Sequence, residues 1–337
     1  MATSTNILTK KETIQQVENK LNPTSERVLQ IISYFDSFDY PVKFDELQSL
    51  LDFEKNEIRE VLISLINGNR ISNVNGYYFV PGKYWTIRKR VKSNRIFRNS
   101  LPKILRSGWI LSHIPFVRGL ILTGSSSKEI LEKNDDFDFL VIVEPNHLWL
   151  SRTLIIALRK LISFNFKFKN YQHFDCNYFL SEKALRIIDK NEFTAIEIFF
   201  AKPIFNYDNY KKFIKKNQWI TQYFRLPKMN KSTPLVKNRI QIIQTLLETL
   251  IKISIKMFYK NKSIEKELYS RYYYQSLKRK SVLSLKEYKT KKSLTQIKNS
   301  NNNQSYMISL FRDYESSESR TKQRTKQIRK MLTSSTY

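Results

Sequence analysis

Apolar and polar positions along the first eighty residues predict three short helices followed by a hairpin. Apolar side chains recur at helical spacing over residues 25–38, 44–51 and 54–66. Residues 70–80 then alternate around Asn75-Gly76, and an Asn-Gly pair between two alternating runs is the strongest short hairpin signal. The pattern therefore predicts a small helical unit closed by a β-hairpin.

This order of elements resembles a winged helix-turn-helix, covering residues 24–83. Two uses of such a unit are open. In the first, the third helix reads DNA with Lys55, Asn56 and Arg59 turned outward, and the hairpin serves as the wing. In the second, the unit packs against protein, because the same helix carries acids that repel phosphate, namely Glu54, Glu57 and Glu60.

The rest of the chain predicts an α+β fold in which helices accompany a small sheet. Apolar runs and helical spacing predict strands at residues 116–123 and 135–143, helices at 149–163 and 192–201, and a polar, Lys-rich loop at 203–233. Residues 234–259 repeat apolar side chains at heptad-like spacing, which predicts a long helix in the core of a helical domain. A helical C-terminal region is therefore expected after the sheet.

Composition agrees with a folded protein of about two domains. The chain has 337 residues, of which 41% are hydrophobic and 13% aromatic, so a wholly disordered chain is excluded. Lys and Arg total 59 against 30 Asp and Glu, a net charge of +29. Such a charge indicates an anionic partner: nucleic acid, an anionic membrane surface or a phosphorylated substrate. Compositional drift in an AT-rich genome is the alternative, although it does not explain the small number of acids.

The excess positive charge is concentrated in two segments. Residues 83–106 interleave basic with apolar side chains, which suits either a solvated helix packed on its apolar stripe or a nucleic-acid face. Residues 260–337 carry 19 Lys and Arg against six Asp and Glu. Within that segment, residues 299–305 predict a loop and residues 320–330 a basic helix or tail.

The remaining composition excludes several other classes of protein. Cys176 is the single cysteine, so an intramolecular disulfide framework and a cysteine-based zinc cluster are both excluded. The three His residues show no metal-ligand spacing. The polar start of the chain predicts no signal peptide, and no apolar run is long enough to cross a membrane. We therefore expect a soluble, cytoplasmic protein.

The chemistry of the chain is concentrated at residues 116–143. An apolar strand runs into Gly124-Ser125, and a second apolar strand begins with Asp136 and Asp138. Residues two apart on a strand point to the same face, so these two carboxylates project together, about 7 Å apart. They repel each other unless a divalent cation such as Mg²⁺ lies beside them. Glycine lets a phosphate approach the backbone, while the Ser hydroxyl and helix N–H groups hold it.

This combination resembles the polymerase beta-like nucleotidyltransferase superfamily. Its signature is an apolar strand, Gly-Ser, a spacer of about ten residues and Asp-x-Asp between apolar flanks; here ten residues separate Ser125 from Asp136. The similarity extends over residues 24–225 to a subgroup of bacterial nucleotidyltransferase-domain proteins with a winged helix in front. It is carried there by segments at residues 148–152, 177–182, 192–202 and 217–220.

The resemblance implies a division of the chain and a set of ligands. The expected regions are a polar tail (1–23), a winged-helix domain (24–83), a basic helical connector (84–114), a mixed-sheet nucleotidyltransferase core (115–210) and a basic helical C-terminal region (211–337). The expected cofactor is Mg²⁺ or Mn²⁺, held by Asp136 and Asp138. The substrate is a nucleoside triphosphate, ATP being favoured, with its phosphates at Gly124 and Ser125.

The family's third carboxylate lies on a later strand, and Asp175 is the candidate for it. Asp175 would complete the metal site and serve as base for the acceptor hydroxyl. Asn177 shares its strand face, so a register that sets Asn177 opposite Asp138 would leave the site without a base. Lys128, Lys133 and Arg152 are candidates to neutralise the triphosphate, but each is better interpreted as a surface charge. Asp135 is a weaker ligand candidate, because it faces away from Asp136.

Three functions remain open at this point. The first is an enzyme that transfers a nucleoside monophosphate to an acceptor hydroxyl on a protein, an RNA or a small molecule, with release of pyrophosphate. The second is a winged-helix nucleic-acid-binding regulator whose nucleotidyltransferase domain is a degenerate nucleotide sensor. The third is a structural partner of another enzyme. The basic regions fit a surface for nucleic acid or another anionic partner better than they fit DNA reading by the winged helix.

Overall fold

A computed structural model describes residues 22–165, 174–227, 236, 241–259, 264–271 and 305–307. These residues divide into two compact units, with the boundary after Lys92. The fold is α+β, as the sequence predicted. None of the described helices combines the length and apolar character that crossing a bilayer requires.

The first unit contains three helices and a three-stranded antiparallel sheet. Its elements are α1 (Pro23–Asp36), β1 (Val42–Lys43), α2 (Phe44–Leu50), α3 (Lys55–Asn67), β2 (Ser72–Val74) and β3 (Tyr77–Phe79). The strand order is β1-β3-β2. Asn75 and Gly76 both have positive φ (52° and 76°), which is the backbone that the tight turn between β2 and β3 requires. Asn22 caps α1 by accepting a 2.7 Å hydrogen bond from the Ser25 N–H.

Helix α4 (Trp85–Ser112) begins in the first unit and continues in the second. In the first unit two of its cations, Lys89 and Arg90, are paired with acids. The buried Arg90 guanidinium donates to the Glu46 carboxylate at 2.6 Å and lies 3.6 Å from the centre of the Tyr40 ring. Lys89 pairs with Asp39 at 3.1 Å. Part of the predicted basic segment is therefore internal structure in this unit.

The second unit is built on a five-stranded mixed sheet of order β7-β4-β5-β6-β8. Its elements are β4 (Val117–Thr123), α5 (Gly124–Ser127), β5 (Phe137–Val143), α6 (Leu148–Asn165), β6 (Phe174–Ser181), α7 (Glu192–Phe200), β7 (Lys202–Phe205), α8 (Tyr207–Lys216), a 3₁₀ turn (Gln218–Gln222), α9 (Gln241–Tyr259), α10 (264–271) and β8 (Ser305–Met307). Strands β5 and β6 are parallel, and the other described pairs of this sheet are antiparallel.

The core of this unit lies between the sheet and helices α4 and α6. Alternate residues of the central strands, such as Leu120, Leu122 and Val141, pack with Phe97 and Ile104 of α4 in one apolar cluster. On the other face, Gly119 lies against α8: a Cβ at Gly119 would be 3.2 Å from Asn209 Cβ. Because both faces are covered, the strands have the nearly continuous apolar character seen in the sequence.

The predicted loop at residues 203–233 is wrong over most of its length. The segment begins within strand β7, and helix α8 and the 3₁₀ turn follow. Asn206 caps α8 by accepting a hydrogen bond from the Asn209 N–H, and Tyr210, Phe213 and Ile214 face inward. Exposed lysines dominate the composition of this stretch and obscure the helical spacing of its few apolar residues.

The C-terminal region differs from the helical core expected of it. The predicted stripe on α9 is largely exposed, at Leu246, Leu250, Ile253 and Met257. The side chains that join α9 to the sheet are polar: the Gln244 amide donates to the Ile114 carbonyl at 3.1 Å, and Glu248 accepts from the Phe116 N–H at 2.7 Å. Residues 305–307, placed in a loop and a helical region from the sequence, form a strand beside β6. Of the predicted polar tail (1–23), residues 1–21 lie outside the described residues, while Asn22 and Pro23 belong to the start of α1. Residues 320–330 also lie outside the described residues.

Helix α10 is held to α6 by a buried carboxylate. Glu265 accepts hydrogen bonds from the N–H groups of Trp149 (3.0 Å) and Leu150 (2.9 Å), at the start of α6. Burial raises the pKa of Glu265, and these backbone donors partly offset the effect. A negative charge at a helix N-terminus is stabilising, so this contact fixes the start of α6, the helix that also carries Arg159.

Candidate active site

Three strand ends meet at one edge of the five-stranded sheet. Because β4 and β5 are antiparallel, the last residue of β4, Thr123, pairs with Asp138 near the start of β5. Because β5 and β6 are parallel, Asp138 in turn pairs with Asp175 near the start of β6. The sequence folds this way because each strand is an apolar run whose polar residues stand at the end. The Gly124-Ser125 turn, Asp138 and Asp175 are thereby brought to the same edge.

Asp138 lies directly against Gly124. A Cβ atom on residue 124 would be 2.3 Å from Asp138 Oδ2 and 3.1 Å from its Cγ, so no side chain fits there. Gly124 also has a φ of 66°, a backbone that residues with a side chain rarely adopt. Glycine is thus required at this position for two reasons, the positive φ of the backbone and the close contact with Asp138.

The pKa of the Asp138 carboxyl group is strongly perturbed. Burial, first, and then the neighbouring charges of Asp175, Glu197 and Asp136 raise it to about 7, while Lys128 lowers it in part. A buried carboxyl group with other acids beside it is a common feature of functional sites, because burial and like charges shift its pKa toward neutral pH.

Asp136 stands immediately before β5 and is exposed. Its backbone carbonyl accepts a 3.5 Å hydrogen bond from the buried Ser126 hydroxyl, which links the start of β5 to the turn after β4. Phe137 and Phe139 are fully buried, so the alternation along β5 leaves Asp136 and Asp138 on the side away from that core. Asp135 has a local role instead: its carboxylate accepts a 2.7 Å hydrogen bond from the Glu132 N–H.

The register between β5 and β6 distinguishes the two candidates for a third acidic position. Asp175 pairs with Asp138, whereas the ladder shifts between Cys176 and Tyr178, so Asn177 is the extra residue and has no partner on β5. The Asp175 carboxylate forms an ion pair with Arg159 of α6, with Nη1 2.6 Å from Oδ1. Burial raises the pKa of the neighbouring Cys176 thiol, which is therefore not a nucleophile at neutral pH.

The turn after β4 leaves one hydroxyl group available. The Ser127 hydroxyl donates to the Gly124 carbonyl at 2.8 Å, and the Lys128 ammonium donates to the same oxygen at 3.2 Å. The half-buried Ser125 hydroxyl has no hydrogen-bond partner within the described part of the chain. The helix formed by this turn is a single turn, Gly124–Ser127.

The buried Lys128 and the largely buried Glu197 form an ion pair beside this turn. Their side chains are 4% and 20% exposed, and Nζ lies 2.5 Å from Oε1. Interpretation of Lys128 as a surface charge was therefore wrong. Lys133 is exposed, as expected, while the Arg152 guanidinium lies 5.5 Å from the centre of the Phe179 ring.

Sequence reasoning missed Glu197 and Arg159 as members of this cluster. Glu197 is a lone acid in the otherwise apolar run Ala195–Phe200, and a charge at such a position must find a partner when the helix packs. That signal could have pointed to Glu197. Nothing comparable singles out Arg159, because its helix carries several basic residues.

The residue types at this edge suit a hard divalent cation. Carboxylate oxygens are the ligands that Mg²⁺ and Mn²⁺ prefer, and the raised pKa of Asp138 shows that burial and its acidic neighbours disfavour the charged carboxylate, which a bound cation would stabilise. In the described residues as they stand, no three Asp, Glu, His or Cys side chains are grouped closely enough to hold a metal ion. Asp175 is engaged by Arg159 and would have to turn from it to join Asp136 and Asp138.

Comparison of the chain with protein-family models, with curated proteins and with solved structures finds no match. The assignment of a function therefore rests on the residues and their arrangement.

Proposed function

We propose that the chain is a divalent-metal-dependent nucleotidyltransferase. It would move a nucleoside monophosphate from a nucleoside triphosphate, ATP being favoured, to an acceptor hydroxyl, with release of pyrophosphate. The observation that carries the proposal is the alignment of Asp138 beside Asp175, with the Gly124-Ser125 turn in contact with Asp138. The order of these residues along the chain is that of the polymerase beta-like signature.

The turn is the proposed phosphate site. Gly124 presents backbone without a side chain, and the Ser125 hydroxyl is available to donate to a phosphate oxygen. Lys128 acts on this turn from the protein interior. Its ammonium group donates to the Gly124 carbonyl and adds positive charge near Asp138, while its side chain stays buried. In this role Lys128 is a positioning residue.

Asp136, Asp138 and Asp175 are the proposed ligands of Mg²⁺ or Mn²⁺. A cation held there would offset the negative charge on the attacking and leaving oxygens of phosphoryl transfer. Asp175 takes the proton of the acceptor hydroxyl as that oxygen forms a bond to the α-phosphorus, and the bond from the α-phosphorus to the pyrophosphate oxygen breaks. Arg159 holds Asp175 until the substrates are in place.

We infer further that the first unit is a winged helix. The support is its order of helices and strands, its β1-β3-β2 sheet and its tight Asn75-Gly76 turn. The exposed face of α3 mixes Lys55 and Arg59 with Glu60 and adds the apolar Ile63 and Ile66. Such a face suits contact with protein better than contact with phosphate. The alternative, a nucleic-acid-binding regulator with a degenerate nucleotide sensor, is therefore less well supported.

The direct test is label transfer. Full-length protein is incubated with Mg²⁺, a nucleoside triphosphate labelled at the α-phosphate and fractionated cell lysate, and label in macromolecules and small compounds is followed. We expect incorporation from the wild type and none from Asp136→Ala/Asp138→Ala. Asp208→Ala, a change at an exposed acid on α8, serves as the control and should retain transfer. Transfer by the double variant would contradict the proposed site.

A further inference from the structure

Helix α4 carries an unmatched row of positive charge on the outer side of the second unit. Its 28 residues include no Asp or Glu. Within the second unit, Phe97, Ile104 and Leu111 recur every seven residues and are buried. The opposite side of the same stretch is exposed and carries four cations and an aromatic ring: Arg95, Arg98, Lys103, Arg106 and Trp109.

These four cations are here called the α4 stripe. Nearer the start of the helix, Lys89 and Arg90 have acidic partners at 3.1 and 2.6 Å, whereas Arg88 and Lys92 are exposed. In the described part of the chain, Arg95, Arg98, Lys103 and Arg106 have no acidic partner. A folded protein normally disperses or pairs its surface charge, so four unpaired cations on one helical face attract a polyanion.

The helical turn at which the stripe starts contacts, through its buried side, the loop that joins the two halves of the proposed active site. Ser93, two residues before Arg95, exchanges two hydrogen bonds of 2.8 Å with Leu131: its hydroxyl donates to the Leu131 carbonyl and accepts from the Leu131 N–H. Leu131 lies between Ser125 and Asp136 in the chain. A linear ligand bound along α4 would therefore have one end near this loop.

We propose that the α4 stripe binds the phosphate backbone of a single-stranded polynucleotide, whose terminal hydroxyl is the acceptor. This inference rests on the proposed function for the acceptor role but not for the binding itself. From Arg95 to Arg106 the helix rises about 16 Å, which matches the span of roughly three to five phosphates. Trp109, 43% exposed at the end of the stripe, provides a surface on which a base stacks.

The test measures binding of labelled single-stranded RNA and DNA 20-mers by fluorescence anisotropy, without nucleotide, from 50 to 300 mM salt. The stripe variant is Arg95→Gln/Arg98→Gln/Lys103→Gln/Arg106→Gln. Its matched control removes four exposed lysines of α8, as Lys211→Gln/Lys212→Gln/Lys215→Gln/Lys216→Gln. Gln is a good helix former, and thermal melting checks that both variants remain folded. Wild type, both variants and Trp109→Leu are compared.

We expect the stripe variant to lower the slope of log affinity against log salt by about 2 to 3, since each contact with a single strand contributes about 0.7. The control variant should change that slope by less than about 1. Trp109→Leu should weaken binding about tenfold with an unchanged slope, because stacking is not ionic. Comparison of the affinities for the RNA and DNA 20-mers shows whether the stripe prefers ribose or deoxyribose strands.

Two results would overturn the proposal. One is an equal loss of binding from the stripe and control variants, which would mean a general effect of net charge. The other is loss of binding to vesicles of anionic lipid without loss of strand binding, which would assign the stripe to a membrane surface. To separate this proposal from the catalytic one, binding is repeated in the Asp136→Ala/Asp138→Ala background. Strand binding by that variant, together with no label transfer by any variant or by the wild type, would contradict the proposed enzymatic activity but support the α4 stripe as a binding surface.

Discussion

Asp138 and Asp175 are paired on neighbouring parallel strands, and the Arg159 guanidinium lies 2.6 Å from the Asp175 carboxylate. The two acids are therefore unequal. Asp175 has a cation within 2.6 Å, while burial and three neighbouring acids hold the pKa of Asp138 at about 7. Both the pH dependence of stability and the affinity for a divalent ion should follow from this inequality.

The first prediction concerns pH. The folded protein keeps a proton on Asp138 up to about pH 7, whereas the unfolded chain releases it near 3.8, the ordinary value. Between these values the folded state binds more protons, so stability falls as pH rises and the loss is complete above pH 7. Asp138→Asn removes this charge and keeps the shape. We expect it to raise the free energy of unfolding by about 2–4 kcal/mol at pH 8 and to change it little at pH 4.

The measurement is urea unfolding at pH 4, 6 and 8 in the absence of divalent ions. Asp208→Asn is the control for sign, because a hydrogen bond from Lys211 lowers the pKa of Asp208. That variant should not stabilise the protein at pH 8. An Asp138→Asn protein no more stable than the wild type at pH 8 would mean that the Asp138 charge is balanced in the folded state.

The second prediction concerns Arg159 and the metal. If a divalent ion must take Asp175 from Arg159, removal of the guanidinium should tighten ion binding. We expect Arg159→Met to lower the dissociation constant for Mn²⁺ several-fold, measured by electron paramagnetic resonance of free Mn²⁺. Arg186→Met, the same substitution at an exposed arginine, should leave the constant unchanged. Weaker binding by Arg159→Met would show that Arg159 organises the site instead of competing for it.

The third prediction concerns the contact between Gly124 and Asp138. Gly124→Ala places a methyl group 2.3 Å from Asp138 Oδ2 on a backbone with positive φ, so it should both destabilise the protein and weaken nucleotide binding. Gly76→Ala is the matched control, because it also has positive φ (76°) but no atom within 4 Å of the added carbon. Gly76→Ala should cost only the backbone term, about 1 kcal/mol.

The two causes can be separated in a second background. Asp138→Ala removes the two nearest atoms that the Gly124→Ala methyl group meets, Oδ2 and Cγ, and leaves Asp138 Cβ at 3.2 Å. In that background Gly124→Ala should therefore cost little more than Gly76→Ala does in the wild type. Chemical denaturation measures the four proteins of the cycle. A cost that persists unchanged in the Asp138→Ala background would assign the whole effect to backbone strain.

The motif could be located from the sequence, but its surroundings could not. Glycine, serine and two alternating acids next to apolar strands are local signals, so Gly124, Ser125, Asp136 and Asp138 were identified from spacing alone. The pairing of Asp138 with Asp175 depends on a register and a bulge set by residues far apart in the chain, and the sequence left Asn177 as an alternative. The other members of the cluster, Arg159 beside Asp175 and Glu197 beside Lys128, come from helices whose packing direction no local pattern specifies.

The same distinction explains the errors in the fold. Helices and strands with many apolar residues were predicted within a few residues of their observed ends. Helix α8 was missed because lysines fill its solvent face, and the exposed stripe of α9 was interpreted as core because spacing shows that a face is apolar but not what covers it. Strand β8 has three residues and exists through its partner β6, which no local pattern can show.

The last prediction concerns the buried pair of Lys128 and Glu197. Lys128→Met leaves the Glu197 carboxylate without its cation in a poorly solvated position and removes positive charge near Asp138. We expect a loss of about 3–5 kcal/mol in the free energy of unfolding, because breaking a buried ion pair strands its partner. Lys128→Met/Glu197→Leu should recover most of that stability, since well-packed apolar residues replace buried pairs at little cost. Lys202→Met, which breaks the more exposed pair with Glu129, should cost less than about 1 kcal/mol.

The same variants test whether Lys128 positions the turn. If it does, the double variant will regain stability but not nucleotide binding, because no ammonium group then donates to the Gly124 carbonyl. Recovery of both stability and nucleotide binding in the double variant would show that the Lys128–Glu197 pair has only a structural role.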